Sequence, residues 1–103
     1  MRRGEVRWGE TPKHGRRPYL ILTRNPAIEV LSEILVAPLT KAIRPIPTHV
    51  PLDEGDGLPE PCAVTLDNLV MIPTGYLGEL IVTLGPQHMS EVCSALAESV
   101  DCG

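Results

Sequence analysis

Short apolar runs, separated by polar segments rich in proline and glycine, recur from Gly4 to Leu84, and runs bounded this way predict strands. Gly4–Trp8 reads as a first strand. Gly9–Arg17, with its Thr11-Pro12 and His14-Gly15 steps, reads as a polar loop at a sheet rim. Tyr19–Thr23 is a strongly apolar second strand. It ends at Asn25-Pro26, because proline cannot donate to a ladder and restricts the residue before it. Ala27–Ser32 predicts a turn or short helical connector, and Glu33–Thr40 a third strand whose Pro38 implies an edge position or a bulge. After a basic, proline-rich loop at Lys41–Pro47, Thr48–Leu52 alternates as a half-buried strand does, and Asp53–Pro61 predicts an acidic surface loop. Cys62–Leu66 is a fifth strand. The polar pair Asp67-Asn68 then predicts a bulge or functional bend before Leu69–Ile72 continues. Pro73-Thr74-Gly75 turns the chain into a sixth strand at Glu79–Leu84.

From Gly85-Pro86 the period changes, with proline in the first turn of a helix. Met89, Val92, Cys93, Leu96, Ala97 and Val100 share one helical face, which predicts packing on the sheet with Met89 and Cys93 in the core. Five to six short antiparallel strands and one C-terminal amphipathic helix make the fold class α+β, with no βαβ rhythm and no repeat.

At 103 residues the chain is expected to form a single domain over 1–103, with an aliphatic core, since it has no Phe, one Trp and two Tyr. That one Trp, Trp8, is expected to anchor the core, a groove position being the alternative. Cys62, Cys93 and Cys102 form an odd set without a short-spaced pair, which predicts free thiols rather than a disulfide framework or zinc knuckle. The opening Met1-Arg2-Arg3-Gly4-Glu5 starts no apolar segment, and no run approaches the length of a membrane span, so a cytoplasmic protein with no membrane association is expected.

Charge is distributed unevenly. All nine Lys and Arg lie at or before Arg44, so residues 1–50, with four acids, carry +5, and residues 51–103, with nine acids and no cation, carry −9. If the fold separates these segments, one basic face suits a polyanion. Arg17, before the Tyr19 run, and Thr40, ending the Glu33 run, place polar groups at strand ends where they can share one rim.

The order Arg3-Gly4-Glu5-Val6, a polar loop, Arg17-Pro18-Tyr19-Leu20-Ile21-Leu22, a strand ending Leu39-Thr40, and then Pro47-Thr48-His49-Val50 resembles the MazF/PemK family of toxin endoribonucleases. The resemblance spans nearly the whole chain. It implies a small SH3-like antiparallel barrel of the CcdB/PemK type, a homodimer with RNA grooves at its dimer face, and a MazE-like antitoxin partner. It also implies sequence-specific cleavage of single-stranded RNA, with Arg17 stabilising charge on the phosphate and Thr40 donating a hydroxyl to a nonbridging oxygen.

Such cleavage needs neither a cofactor nor a metal, because the RNA supplies its 2′-hydroxyl as nucleophile. The protein must align the strand and neutralise phosphate charge, a task suited to the planar guanidinium. Candidate phosphate contacts are Lys13, Arg16, Arg24, Lys41 and Arg44. Asp67 and Asn68 are candidate base readers, as single-stranded bases are read on their edges. His14, in the loop, is a further RNA contact and, ahead of His49, the alternative proton-transfer group. The sequence holds no metal-ligand cluster, and Asp53-x-x-Asp56 lacks the calcium-loop pattern. Two rival readings are a CcdB-like gyrase-inhibiting binding toxin, whose recognition depends on an apolar C-terminal end that Glu98–Gly103 does not match, and a catalytically degenerate nucleic-acid-binding module.

Overall fold

The computed structural model describes residues 1–101; Cys102 and Gly103 lie outside the described residues. The chain forms β1 (Glu5–Thr11), β2 (Gly15–Ile21), a one-turn helix α1 (Asn25–Ile28), β3 (Glu33–Thr40), β4 (His49–Leu52), β5 (Cys62–Thr65), β6 (Val70–Pro73), β7 (Leu77–Thr83) and helix α2 (Pro86–Ser99). The strands make one curled antiparallel sheet in the order β4-β5-β3-β2-β1-β7, with β6 also paired to β3. The architecture is the expected α+β half-barrel with a C-terminal helix, built from seven strands rather than five or six.

Most of the anticipated rim loop is strand. β1 runs on to Thr11 and β2 begins at Gly15, paired from Val6↔Leu20 to Thr11↔Gly15. The residues between them close a hairpin in which the Thr11 hydroxyl accepts the His14 N–H at 3.2 Å and Gly15 takes φ +66, a left-handed backbone that favours glycine. Cross-strand pairing thus overrides the polar composition of this segment. β1 pairs β7 with register shifts flanking Arg7, and such shifts sharpen twist and curl the sheet.

β3 is central rather than an edge strand. β2 pairs it on one side, β6 pairs Glu33–Val36 on the other, and β5 pairs Leu39 and Thr40. Pro38 falls in the gap between the β6 and β5 ladders, so its missing N–H leaves no bond unmade there. Opposite this gap, the three-residue step from Val36 to Leu39 faces a six-residue step from Val64 to Val70. The Asp67-Asn68 bend is therefore a large outward bulge, as the polar pair predicts.

Both faces of β2 are covered, which explains its continuous apolar run. Leu20 and Leu22 pack with Val6, Leu39, Val64 and α2; Tyr19 and Ile21 pack with Ile34, Val36, Ile72 and Leu77. The Tyr19 ring lies on Gly9, where a Cβ would sit 2.7 Å from it. The face that α2 buries is rotated from the expected stripe. Val92 and Ala95 are its buried residues, while Cys93 is exposed and Val100 is 54% exposed. The helix meets the sheet chiefly over β4, which turns Cys93 outward, where the Arg3 guanidinium lies 3.5 Å from its sulfur.

Candidate active site and RNA cleft

The rim expected for Arg17 and Thr40 exists. β2 and β3 are paired at Tyr19↔Pro38, and continuing that register by two residues brings Arg17 opposite Thr40. Arg17 Nη2 donates to the Leu39 carbonyl at 3.1 Å, and its guanidinium carbon stands 6.0 Å from the centroid of Tyr19, a fully buried ring. These contacts hold the guanidinium at the end of the sheet before any ligand arrives, which is the preorganisation that charge stabilisation requires. The Thr40 hydroxyl accepts the Ala42 N–H at 3.1 Å, leaving its own proton free to be donated outward.

Arg17 and Thr40 border two clefts, one on each side of the strand ends. The first, about 510 Å³, has a floor of Leu39, Leu58 and Cys62 that continues the core beneath α2, with Trp8, Arg16 and Glu60 on its walls. The second, about 270 Å³, is more polar and includes Arg44, His49, Asp67 and Asn68.

Most sequence-derived candidates meet here. His14, Arg16 and Lys41 line the first cleft, and Arg44, Asp67 and Asn68 the second. Lys13 lies at the exposed hairpin tip beside His14 without lining either cleft. Arg24 is separated from the site by the length of β2, because it precedes α1 while Arg17 stands near the opposite strand end. Asp67 and Asn68 already have protein partners. Thr48 Oγ1 donates to Asp67 Oδ2 at 2.5 Å, and Asn68 Nδ2 donates to Thr65 Oγ1 at 3.2 Å. Each keeps part of its hydrogen-bonding capacity beyond these contacts. His49 Nδ1 accepts the Arg44 N–H at 3.3 Å, so a neutral ring carries its proton on Nε2.

Trp8 is a groove residue, not a core anchor. Arg16 lies 4.2 Å over its ring, and pairing Glu10↔Arg16 beside Trp8↔Pro18 makes the two side chains diagonal neighbours on one sheet face. Glu60, read from sequence as part of a surface loop, forms a 3.3 Å ion pair with Lys41 at the first cleft. Composition alone hides it. The usable signal is its position just ahead of β5, which pairs with the Thr40 end of β3. Cys62 is buried, and its thiol is pushed up to about 11 by that burial and then by Glu60, Asp56 and Asp53, so it is no nucleophile at neutral pH. Among the described residues no group of three or more His, Cys, Asp or Glu is arranged to hold a metal ion, and no helix is long and apolar enough to cross a membrane.

Residues 2–100 match the family profile described as PemK-like, MazF-like toxin of type II toxin–antitoxin system. The chain belongs to the PemK/MazF toxin family. Among curated relatives in the family, the probable endoribonuclease MazF5 of Mycobacterium tuberculosis H37Rv is 40% identical over 97% of this chain and 93% of its own length. The endoribonuclease MazF3 of the same organism is 36% identical over 82% of each chain. Among solved structures, the Mycobacterium tuberculosis toxin MazF-mt6 superposes with a TM-score of 0.87 at 32% identity, covering 94% of this chain and 96% of its own. A mycobacterial endoribonuclease in complex with its cognate antitoxin superposes at 0.89 with 26% identity, over 100% of this chain and 97% of that one.

Proposed function

We propose that the chain is a toxin endoribonuclease that cuts single-stranded RNA, messenger RNA in the cytoplasm above all, and leaves a 2′,3′-cyclic phosphate and a 5′-hydroxyl. The observation that carries this is the pairing of Arg17 and Thr40 on one rim between two clefts. A phosphodiester laid across that rim meets a fixed guanidinium and a hydroxyl donor, with room for a base on either side. The neighbouring 2′-oxygen attacks the phosphorus, the P–O5′ bond breaks, and the 5′-oxygen leaves with a proton. Charge developing on the nonbridging oxygens is met by Arg17 and Thr40. His14 and His49, one in each cleft, are the titratable candidates for moving the two protons.

Because the RNA brings its own nucleophile and Arg17 brings the positive charge, cleavage is expected to proceed without a metal. Incubation of purified protein with an RNA pool in EDTA, followed by mapping of the new ends, is expected to show endonucleolytic cuts with 5′-hydroxyl termini. Intact RNA in EDTA with cutting restored by magnesium overturns the metal-independent chemistry, and intact RNA under both conditions overturns the endoribonuclease reading itself.

Two partners follow from the same reading. One is a second copy of this chain, which would cover exposed apolar side chains such as Ile46 at the second cleft and Val70 and Met71 on β6. The other is a MazE-like antitoxin that lays an acidic, extended segment across the basic cleft and releases it when that segment is proteolysed. RNA and antitoxin are then expected to compete; equal RNA affinity with and without saturating antitoxin overturns the shared groove.

A further inference from the structure

We propose that the first cleft is a nucleobase subsite selective for guanine, and that Glu60 is the residue that reads it. This rests on the RNA-cleaving reading for its substrate and adds which base is chosen and by what.

The cleft is built for a flat, partly polar group. Its floor is apolar, at Leu39 and Leu58, and its open wall carries Arg16 stacked 4.2 Å over Trp8. A guanidinium stacked on an indole has one planar face covered and the other free, and unpaired bases stack on such faces. The cleft also borders Arg17 and Thr40, so a base held in it belongs to a nucleotide next to the phosphate on the rim.

A carboxylate in this position is informative because it repels phosphates, which the surrounding cations attract. Its chemistry suits a base edge that offers hydrogens. Guanine alone presents two adjacent donors, N1–H and N2–H, on its Watson–Crick edge, and these match the two oxygens of one carboxylate. In the free protein Lys41 Nζ holds only Oε1 of Glu60, at 3.3 Å, with side chains 80% and 50% exposed. An ion pair this exposed exchanges readily, so Glu60 can turn to a base at little cost. Lys41 then remains beside it to offset the buried charge or to meet a phosphate.

The same geometry predicts how specificity changes in Glu60→Gln. A carboxamide offers one acceptor and one donor, which complements the N6–H and N1 of adenine in place of the donor pair of guanine. The test uses uncleavable 2′-O-methyl pentanucleotides with a single guanine, adenine or cytosine in a uridine background, and reads binding by the fluorescence of Trp8, the one Trp of the chain. The wild-type protein is expected to bind the guanine oligomer about 10- to 100-fold more tightly than the adenine one, the discrimination typical of a bidentate contact. Replacing guanine by inosine, which lacks N2–H, removes most of that preference. Glu60→Gln is expected to reverse the order of guanine and adenine while melting at the wild-type temperature. Equal binding of all oligomers by the wild type, or an unchanged guanine preference in Glu60→Gln, overturns the proposal. A cleavage assay alongside separates this from the underlying reading: cutting without guanine preference rejects the subsite alone, whereas guanine-selective binding without cutting rejects only the nuclease.

Discussion

Arg17 combines charge, planarity and a fixed position, and substitution separates these. Arg17→Ala removes the guanidinium but leaves the buried run Tyr19–Leu22 and the Pro18 restraint in place, so the fold is expected to survive. Loss of one preorganised donor typically lowers the rate by about 10²–10³. Arg17→Lys keeps the charge and loses the fork that reaches the Leu39 carbonyl and would meet a phosphate at the same time, so it is expected to be nearly as inactive. Arg16→Ala, which removes the stack on Trp8, is expected to weaken binding more than turnover. Single-turnover cleavage of a short RNA at saturating enzyme, with melting as a fold control, checks all three; full activity in Arg17→Ala would place the chemistry elsewhere. The thiols give an independent check on burial. Cys93 is exposed and Cys62 is buried with its pKa raised to about 11, so peptide mapping after brief alkylation of native protein at neutral pH should find Cys93 modified and Cys62 intact. The shared rim of Arg17 and Thr40 is legible in the sequence because each flanks an apolar run, and strand ends lie at the rim. Trp8 and Glu60 are not legible in this way. Whether an aromatic faces core or groove depends on the twist of the sheet beneath it, and whether a loop carboxylate faces solvent or cleft depends on where distant strands pair.

At the level of elements, the join between α2 and the acidic turn before Leu58 rests on His88. Its ring nitrogens lie 2.8 Å from Asp56 Oδ1 and 2.6 Å from Glu91 Oε1. A neutral imidazole has only one N–H, so both contacts are satisfied together only by the imidazolium. Hydrogen bonding to Asp56 and then Glu91 raises the His88 pKa, while the Asp53 N–H and then His88 lower that of Asp56. A raised histidine contributes stability that is full below the unfolded value of about 6.5 and is lost as pH rises through the folded pKa. A depressed carboxylate contributes stability that is full above about 3.9 and is lost as pH falls through its folded pKa. The latch is therefore strongest between about pH 4 and 6.5. Thermal melting of His88→Gln against wild type should show the largest gap near about pH 5.5 and a gap that narrows as pH rises above about 6.5; a constant gap would mean that His88 acts through packing alone. The elements themselves were mostly legible from period and punctuation, the Asp67-Asn68 bulge included. The errors have a common cause. The hairpin from Glu5 to Ile21, the central place of β3 and the face of α2 all depend on which distant strand or helix lies alongside, information that no local window contains.

For the whole molecule, the charge pattern has a measurable consequence that the fold modifies. The +5 half supplies Arg16, Arg17, Lys41 and Arg44 to the two clefts, but antiparallel pairing also brings Glu60 and Asp67 from the −9 half to the same place. The cleft is thus basic with two embedded acids, not a uniform cationic face. Four cations meeting phosphates give an expected slope of log affinity against log salt of about −3, at roughly 0.7 per contact on single-stranded RNA. The position of each cation then decides its share. Arg44→Ala should reduce the slope by about 0.7, and Arg24→Ala, remote from both clefts, should leave it unchanged. Removing Glu60 or Asp67 releases no counterion from the RNA, so Asp67→Asn should raise affinity by a similar factor across the salt range, leaving the slope close to that of the wild type. Fluorescence titrations of an uncleavable RNA across a range of salt concentrations distinguish these outcomes. A flat salt response in the wild type, or an Arg24→Ala effect as large as that of Arg44→Ala, would show that RNA runs over a different surface from the rim between the two clefts.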